Sequence, residues 1–236
     1  MLDPSALPRR AGQLHLITDR LAAPAEFILL NILGSHLKQV KRKCILVSFS
    51  QALSHWKSVS ARLSPPTNIS SHISTGSFVF IDALSEPHTL SAEPLRHLYD
   101  RISQALEECS DEVAVEDCRN LVILDSLSML DWSGVPAIEV KRFRCASLIV
   151  RHHQIVSDGL DDLMRDLLFQ CAWHLEVLPL ASGRSGAISG EVAVHRGPLL
   201  DDSDAVDAIK RSLAIQYRLS DTGPIYFGRG TSAGVL

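Results

Sequence analysis

Gln13-Leu-His-Leu-Ile-Thr18, with the turn that leaves it, Thr18-Asp-Arg-Leu-Ala-Ala-Pro-Ala25, decides how this chain folds and what it can hold. The first six residues are apolar enough to predict a buried strand. Residues 24–40 then place Phe27, Leu30, Ile32, Leu33 and Leu37 on a broad face at helical spacing, with Pro24 suited to a first helical turn. In a nucleotide-binding domain that opens in this way, the joint is a glycine-rich turn whose amides and lysine cradle phosphates. This turn has no glycine and no lysine, and Pro24 removes an amide donor. A phosphate clamp cannot be assembled from alanines. Arg20 is the turn's one cation and reads as a solvated side chain.

The pattern repeats outward from this unit. Cys44-Ile-Leu-Val-Ser-Phe49 predicts a central strand, and residues 51–63 an amphipathic helix with Leu53, Trp56, Val59 and Leu63 on one side. Residues 64–77, with two consecutive prolines and many serines, read as a loop. Further strands are expected at Phe78-Val-Phe-Ile-Asp82, Leu121-Val-Ile-Leu-Asp125 and Ser147-Leu-Ile-Val-Arg151, and helices at 93–107, 135–143 and 160–173. The acidic stretch 107–117 reads as an exposed exit from the first of these helices. Short apolar runs alternating with helices indicate an α/β fold with a mostly parallel sheet covered on both faces. Four later segments, at 175–178, 190–195, 213–217 and 225–227, have no helices between them and suggest antiparallel strands extending that sheet. Residues 1–12 are expected to be a flexible N-terminal segment and 13–236 a single domain.

Composition narrows the function classes. The chain has 236 residues, 46% of them hydrophobic and 21% charged, which is ordinary for one folded domain. Its net charge of −4 argues against a protein that coats nucleic acid unaided. Basic clusters at Lys38, Lys41, Arg42 and Lys43, at Lys141, Arg142 and Arg144, and at Arg151 beside His152 and His153 read first as solvated faces. Cys44, Cys109, Cys118, Cys145 and Cys171 are scattered and never spaced C-x-x-C, which fits reduced thiols and neither a disulfide framework nor a zinc site. No leader and no run near the ~20 apolar residues that span a bilayer is visible, so a cytoplasmic and nuclear location with no membrane partner is expected.

Each motif that could carry chemistry has a plainer reading. Leu121-Val-Ile-Leu-Asp125-Ser-Leu-Ser128 looks like a Walker B strand, but without a phosphate loop Asp125 reads as a structural aspartate capping the Ser126 to Ser128 turn. The glycines at Gly183, Gly186 and Gly190 read as a strand-to-strand hairpin, since no helix follows them. His152 and His153 precede Asp158, Asp161 and Asp162, yet adjacent histidines on a strand point to opposite sides, which disfavours shared metal ligation. No nucleophile elbow is present. No catalytic residue, metal or cofactor is therefore expected.

Several blocks resemble the Elongator complex protein 6 family. Arg42-Lys-Cys-Ile-Leu-Val-Ser-Phe-Ser-Gln51-Ala-Leu-Ser-His55-Trp56, with Val59 and Leu63, is similar to that family's second strand and helix. Leu121 to Ser128 resembles its degenerate Walker B strand, residues 180–192 its late hairpin, and Tyr226-Phe-Gly-Arg-Gly230 onward its ending. The loop 64–76 and the acidic stretch 107–117 carry no recognisable family motif. The resemblance implies a non-catalytic, RecA-like domain, a degenerate ATPase that joins Elongator subunits four and five in a heterohexameric ring. That ring binds tRNA and supports wobble-uridine modification, the chemistry being done by another subunit. By the same analogy, Arg151 and His152 are expected to face RNA at the carboxyl end of their strand. The rival readings are an active RecA-like ATPase and a small-molecule enzyme on a doubly wound sheet.

Overall fold

A computed structural model of the chain describes residues 3–83, 85, 92–107, 120–128, 146–154, 161–183, 186–200 and 207–229. One nine-stranded sheet runs through them. Its strands are β1 (Leu14–Asp19), β2 (Lys43–Ser48), β3 (Phe78–Asp82), β4 (Asn120–Asp125), β5 (Ser147–His153), β6 (Cys171–Leu178), β7 (Gly190–Arg196), β8 (Ile215–Ser220) and β9 (Gly223–Phe227). Their order in space is β3-β2-β4-β5-β1-β6-β7-β8-β9. The first six are parallel, and β7, β8 and β9 continue the sheet antiparallel. The described helices are α1 (Glu26–Leu37), α2 (Leu53–Ser60), α3 (Ile69–Ser74), α4 (Ala92–Glu107) and α5 (Asp162–Gln170).

Strand alternation explains the two faces. On β2, Cys44 and Leu46 pack into one apolar cluster with α1, Trp56 and Ile69, while Ile45 and Val47 pack into a second with Leu98 and Ile102 of α4 and Leu163 and Leu167 of α5. On β4, Leu121 and Ile123 divide from Val122 and Leu124 in the same way. Helices therefore cover both faces of the parallel part, and its strands are continuously apolar for that reason.

Three elements differ from the sequence reading. The loop expected across 64–77 contains α3, because the Asn68 side chain accepts a hydrogen bond from Ser71 N and so caps a helix whose first residue, Ile69, is buried. The helix expected over 160–173 stops at Gln170. Its Asp161 cap starts it, but Cys171 is already extended, and Ala172 and Trp173 belong to β6. β6 consequently pairs with β1 in parallel, so the antiparallel extension starts one strand later than expected. In the N-terminal segment, Asp3 caps a 3-10 turn at Pro4–Ala6 and Leu7 enters the first cluster, while Asp3, Ala6, Arg10 and Gly12 are exposed. The helix expected over 135–143 and the acidic stretch from 108 onward lie outside the described residues.

Gly197, just past β7, marks the tightest approach in the sheet. A Cβ there would stand 2.0 Å from the Cys171 carbonyl oxygen at the start of β6, whereas at Gly186 it would meet nothing within 4 Å. Gly197→Ala is expected to cost more than about 2 kcal/mol of unfolding free energy, and Gly186→Ala less than about 0.5 kcal/mol. Urea denaturation of the two variants checks both.

Candidate functional site

The chain leaves β1 for α1 on one face of the sheet and leaves the adjacent β5 for α5 on the other. In open α/β sheets the carboxyl ends of such a strand pair border a crevice, the usual place for a ligand. Here side chains fill it. Asp19 ends β1, Asp125 ends β4, and Arg151 projects from β5 between them on the α1 side. Arg151 Nε donates to Asp19 Oδ2 at 2.9 Å and Nη1 donates to Asp125 Oδ1 at 2.9 Å, with Nη2 also 2.9 Å from Asp19 Oδ2. Both carboxylates are 0% exposed and the arginine side chain is 11% exposed.

Every remaining carboxylate oxygen is engaged. Asp19 Oδ2 also accepts the Ala25 N–H at 2.7 Å, which holds the first turn of α1 against the end of β1, and Asp19 Oδ1 meets His153 Nδ1 at 3.0 Å. Asp125 Oδ2 accepts from the Ser48 hydroxyl at 3.3 Å and from the Ser50 hydroxyl. Ser48 Oγ in turn accepts the Gln51 N–H at 3.1 Å and the Trp56 indole N–H at 3.4 Å, tying the entry of α2 to the same network. After β4, Ser126 adopts a left-handed φ of 63°, and Leu127 N–H donates to Arg151 O at 2.8 Å.

The electrostatics follow from burial. Desolvation works against the charge of Arg151, but the two adjacent carboxylates outweigh it, so its pKa moves up from its ordinary value. One guanidinium is thus shared between two buried carboxylates. Among the described residues no group of three or more His, Cys, Asp or Glu could hold a metal.

A second polar cluster lies on the other face of β6 and β7. Glu176, 1% exposed, accepts from Arg211 Nε at 2.5 Å and from Arg211 Nη2, and meets His195 Nε2 at 3.1 Å. Burial alone would raise the Glu176 pKa. The hydrogen bonds from His195 and Arg211 prevail and hold it at about 2. His174, beside His195 and 2.8 Å from the Thr18 hydroxyl, is pushed down to about 4, chiefly by burial. His15, on β1, goes down to about 3 through burial and the nearby Arg9.

The residues singled out in the sequence fall into place unevenly. Asp125 is buried, and its partners are Ser48, Ser50 and Arg151 rather than the backbone of the Ser126 to Ser128 turn. Arg151 and His152, expected to face RNA, both turn inward: Arg151 is held by the two aspartates, and His152, its ring 1% exposed, meets the α5 cap Asp161 at 2.9 Å. A phosphate would have to displace a carboxylate to reach either. The sequence reading brought Asp125 and Arg151 into view separately. It missed Asp19, Ser48, Ser50 and the Glu176–Arg211 pair. The available signal was an arginine closing an apolar strand, which burial obliges to find carboxylates.

A six-stranded parallel core with an antiparallel extension defines an α/β domain whose first turn carries no glycine and no lysine. The model of the Elongation complex protein 6 family matches residues 1–221, and the chain belongs to that family. Among curated relatives, Elongator complex protein 6 of Danio rerio is 28% identical, covering 96% of this chain and 94% of its own length. The proteins of the same name from Rattus norvegicus and Xenopus tropicalis are 26% and 25% identical, each over 95% of this chain and 93% of their own length.

Two outcomes are expected from this geometry. Arg151→Leu leaves two carboxylates buried without their cation and should cost about 3–5 kcal/mol in chemical denaturation. The histidines give a pH dependence of definite sign. A histidine with a lowered folded pKa folds neutral, so its contribution is whole above 6.5 and is lost as pH falls toward about 4 for His174 and about 3 for His15. Glu176 adds to the loss between 4.5 and about 2. Unfolding free energy should thus decline with acid from pH 6.5, and His174→Gln should make that decline shallower between pH 6.5 and 4.

Proposed function

We propose that this chain is a structural, non-catalytic subunit of Elongator, acting in the cytoplasm and nucleus. In this reading it joins Elongator subunits four and five in a heterohexameric ring of RecA-like domains. The assembled ring binds tRNA and supports modification of the wobble uridine elsewhere in the complex. The family supports the Elongator assignment, since its curated relatives carry the name Elongator complex protein 6 across nearly their whole length.

One observation carries the non-catalytic part. The crevice where a RecA-like ATPase would hold a triphosphate and its metal is occupied here by the Arg151 guanidinium between Asp19 and Asp125. Phosphoryl transfer needs an amide cradle, a lysine on the phosphates and a held metal. The first turn has neither glycine nor lysine, and Asp125, the residue in the Walker B position, is tied to Arg151, Ser48 and Ser50. Arg151 and His152 then act as anchors of the rim instead of presenting charge to RNA, and tRNA is gripped by the ring as a whole.

Calorimetric titration of the purified chain with Mg²⁺-ATP should show no binding in the micromolar range, and the chain alone should not turn ATP over. Affinity purification of the tagged chain from its own cells should bring Elongator subunits four and five with it in equal amounts. Recovery of the chain without them would remove the ring reading; micromolar ATP binding lost in Asp125→Ala would remove the non-catalytic one.

A further inference from the structure

The chain's charge is strongly polarised. Residues 1–81 hold nine Lys and Arg against three Asp and Glu, a net of +6 within a chain of net −4, and no Asp or Glu occurs between Glu26 and Asp82. One of the three acids, Asp19, is buried and paired with Arg151. The excess gathers at the end of the sheet opposite the filled crevice, where the parallel strands begin.

There the turn from α1 to β2, residues 38–42, stands beside the N-terminal segment. Arg9 from that segment and His36, Gln39 and Arg42 from the α1 end line one cavity of about 240 Å³, floored by Leu121 and Ser147 at the starts of β4 and β5. None of the described residues lining it is a carboxylate. Lys38 and Lys41 are exposed on the same turn, with Val40 between them 88% exposed. Lys41 holds a left-handed φ of 60°, a conformation a non-glycine residue keeps only where its surroundings fix it. Cations after a helix also complement its carbonyl end, and that accounts for one or two charges on this turn. Arg9 donates to Ser5 O at 2.9 Å within its own segment. Neither that bond nor the helix end accounts for an apolar side chain, Val40, standing clear of the surface.

We infer that this end of the molecule docks an acidic segment of a protein partner, one carboxylate entering the cavity lined by Arg9 and Arg42 and an apolar side chain covering Val40. Charge complementarity selects an anion. Val40 selects a polypeptide over RNA, because an exposed aliphatic side chain gives bases nothing to stack on, and the aromatic side chains nearest in sequence, Phe27, Phe49 and Trp56, are buried. Arg9 and Arg42 keep contacts within the chain as well, so the exposed Lys38 and Lys41 supply the charges a partner meets first.

The test uses the full chain and a fluorescein-labelled decapeptide of Asp and Glu with one central Leu, followed by fluorescence anisotropy at low ionic strength. Lys38→Glu with Lys41→Glu should weaken binding by about tenfold or more, and added salt should weaken binding to the wild type. The charge-matched control Lys57→Glu with Arg62→Glu, elsewhere on the same helical layer, should change it less than about twofold. Circular dichroism of both variants should match the wild type, as Lys38, Lys41 and Arg62 are exposed and Lys57 is half-buried. The inference is overturned by absence of binding, by equal loss in both variants, or by a single-stranded RNA decamer that binds more tightly and depends on the same two lysines.

Discussion

An arginine held between two fully buried aspartates is the constraint on which the rest of this fold depends. Asp19, Asp125 and Arg151 lie at the carboxyl ends of β1, β4 and β5, and burial makes each charge dependent on the others. From the two aspartates, hydrogen bonds reach the first turn of α1 through Ala25, and α2 through Ser48 and Trp56. Buried ion pairs are seldom the most stabilising way to fill a volume. What this one supplies is specificity: it fixes three strand ends and two helix starts relative to one another, and it occupies the crevice that such sheets otherwise offer to a ligand.

The parallel core was legible because its strands are continuous apolar runs closed by a polar residue. Phe78–Asp82 falls where it was expected, and β1, β2 and β4 within a residue or so at each end. Legibility failed where a local signal was weak or was overridden. The three-residue spacing of Asn68 and Ser71 that caps α3 was hidden in a serine-rich stretch, and Trp173 at helical spacing concealed the switch into β6. The site was half legible. An absent glycine-lysine turn is a property of contiguous sequence, so it could be read directly. A triad drawn from residues 19, 125 and 151 exists only once the sheet order brings their strands together, and no spacing encodes it.

The two ends of the sheet have opposite electrostatic characters. At the carboxyl ends, the charges of Asp19, Asp125 and Arg151 are paired internally and removed from solvent. At the opposite end, cations of the first third of the chain remain at the surface in a protein that is acidic as a whole.

The central claim is that Arg151 and the aspartates act as one unit, and a double-mutant cycle measures that directly. Unfolding free energies of the wild type, Arg151→Leu, Asp125→Asn and the double variant give the coupling between the two side chains. The account predicts a coupling of about 1.5–3 kcal/mol, with the double variant less destabilised than the sum of the single ones. Additivity within about 0.5 kcal/mol would contradict it.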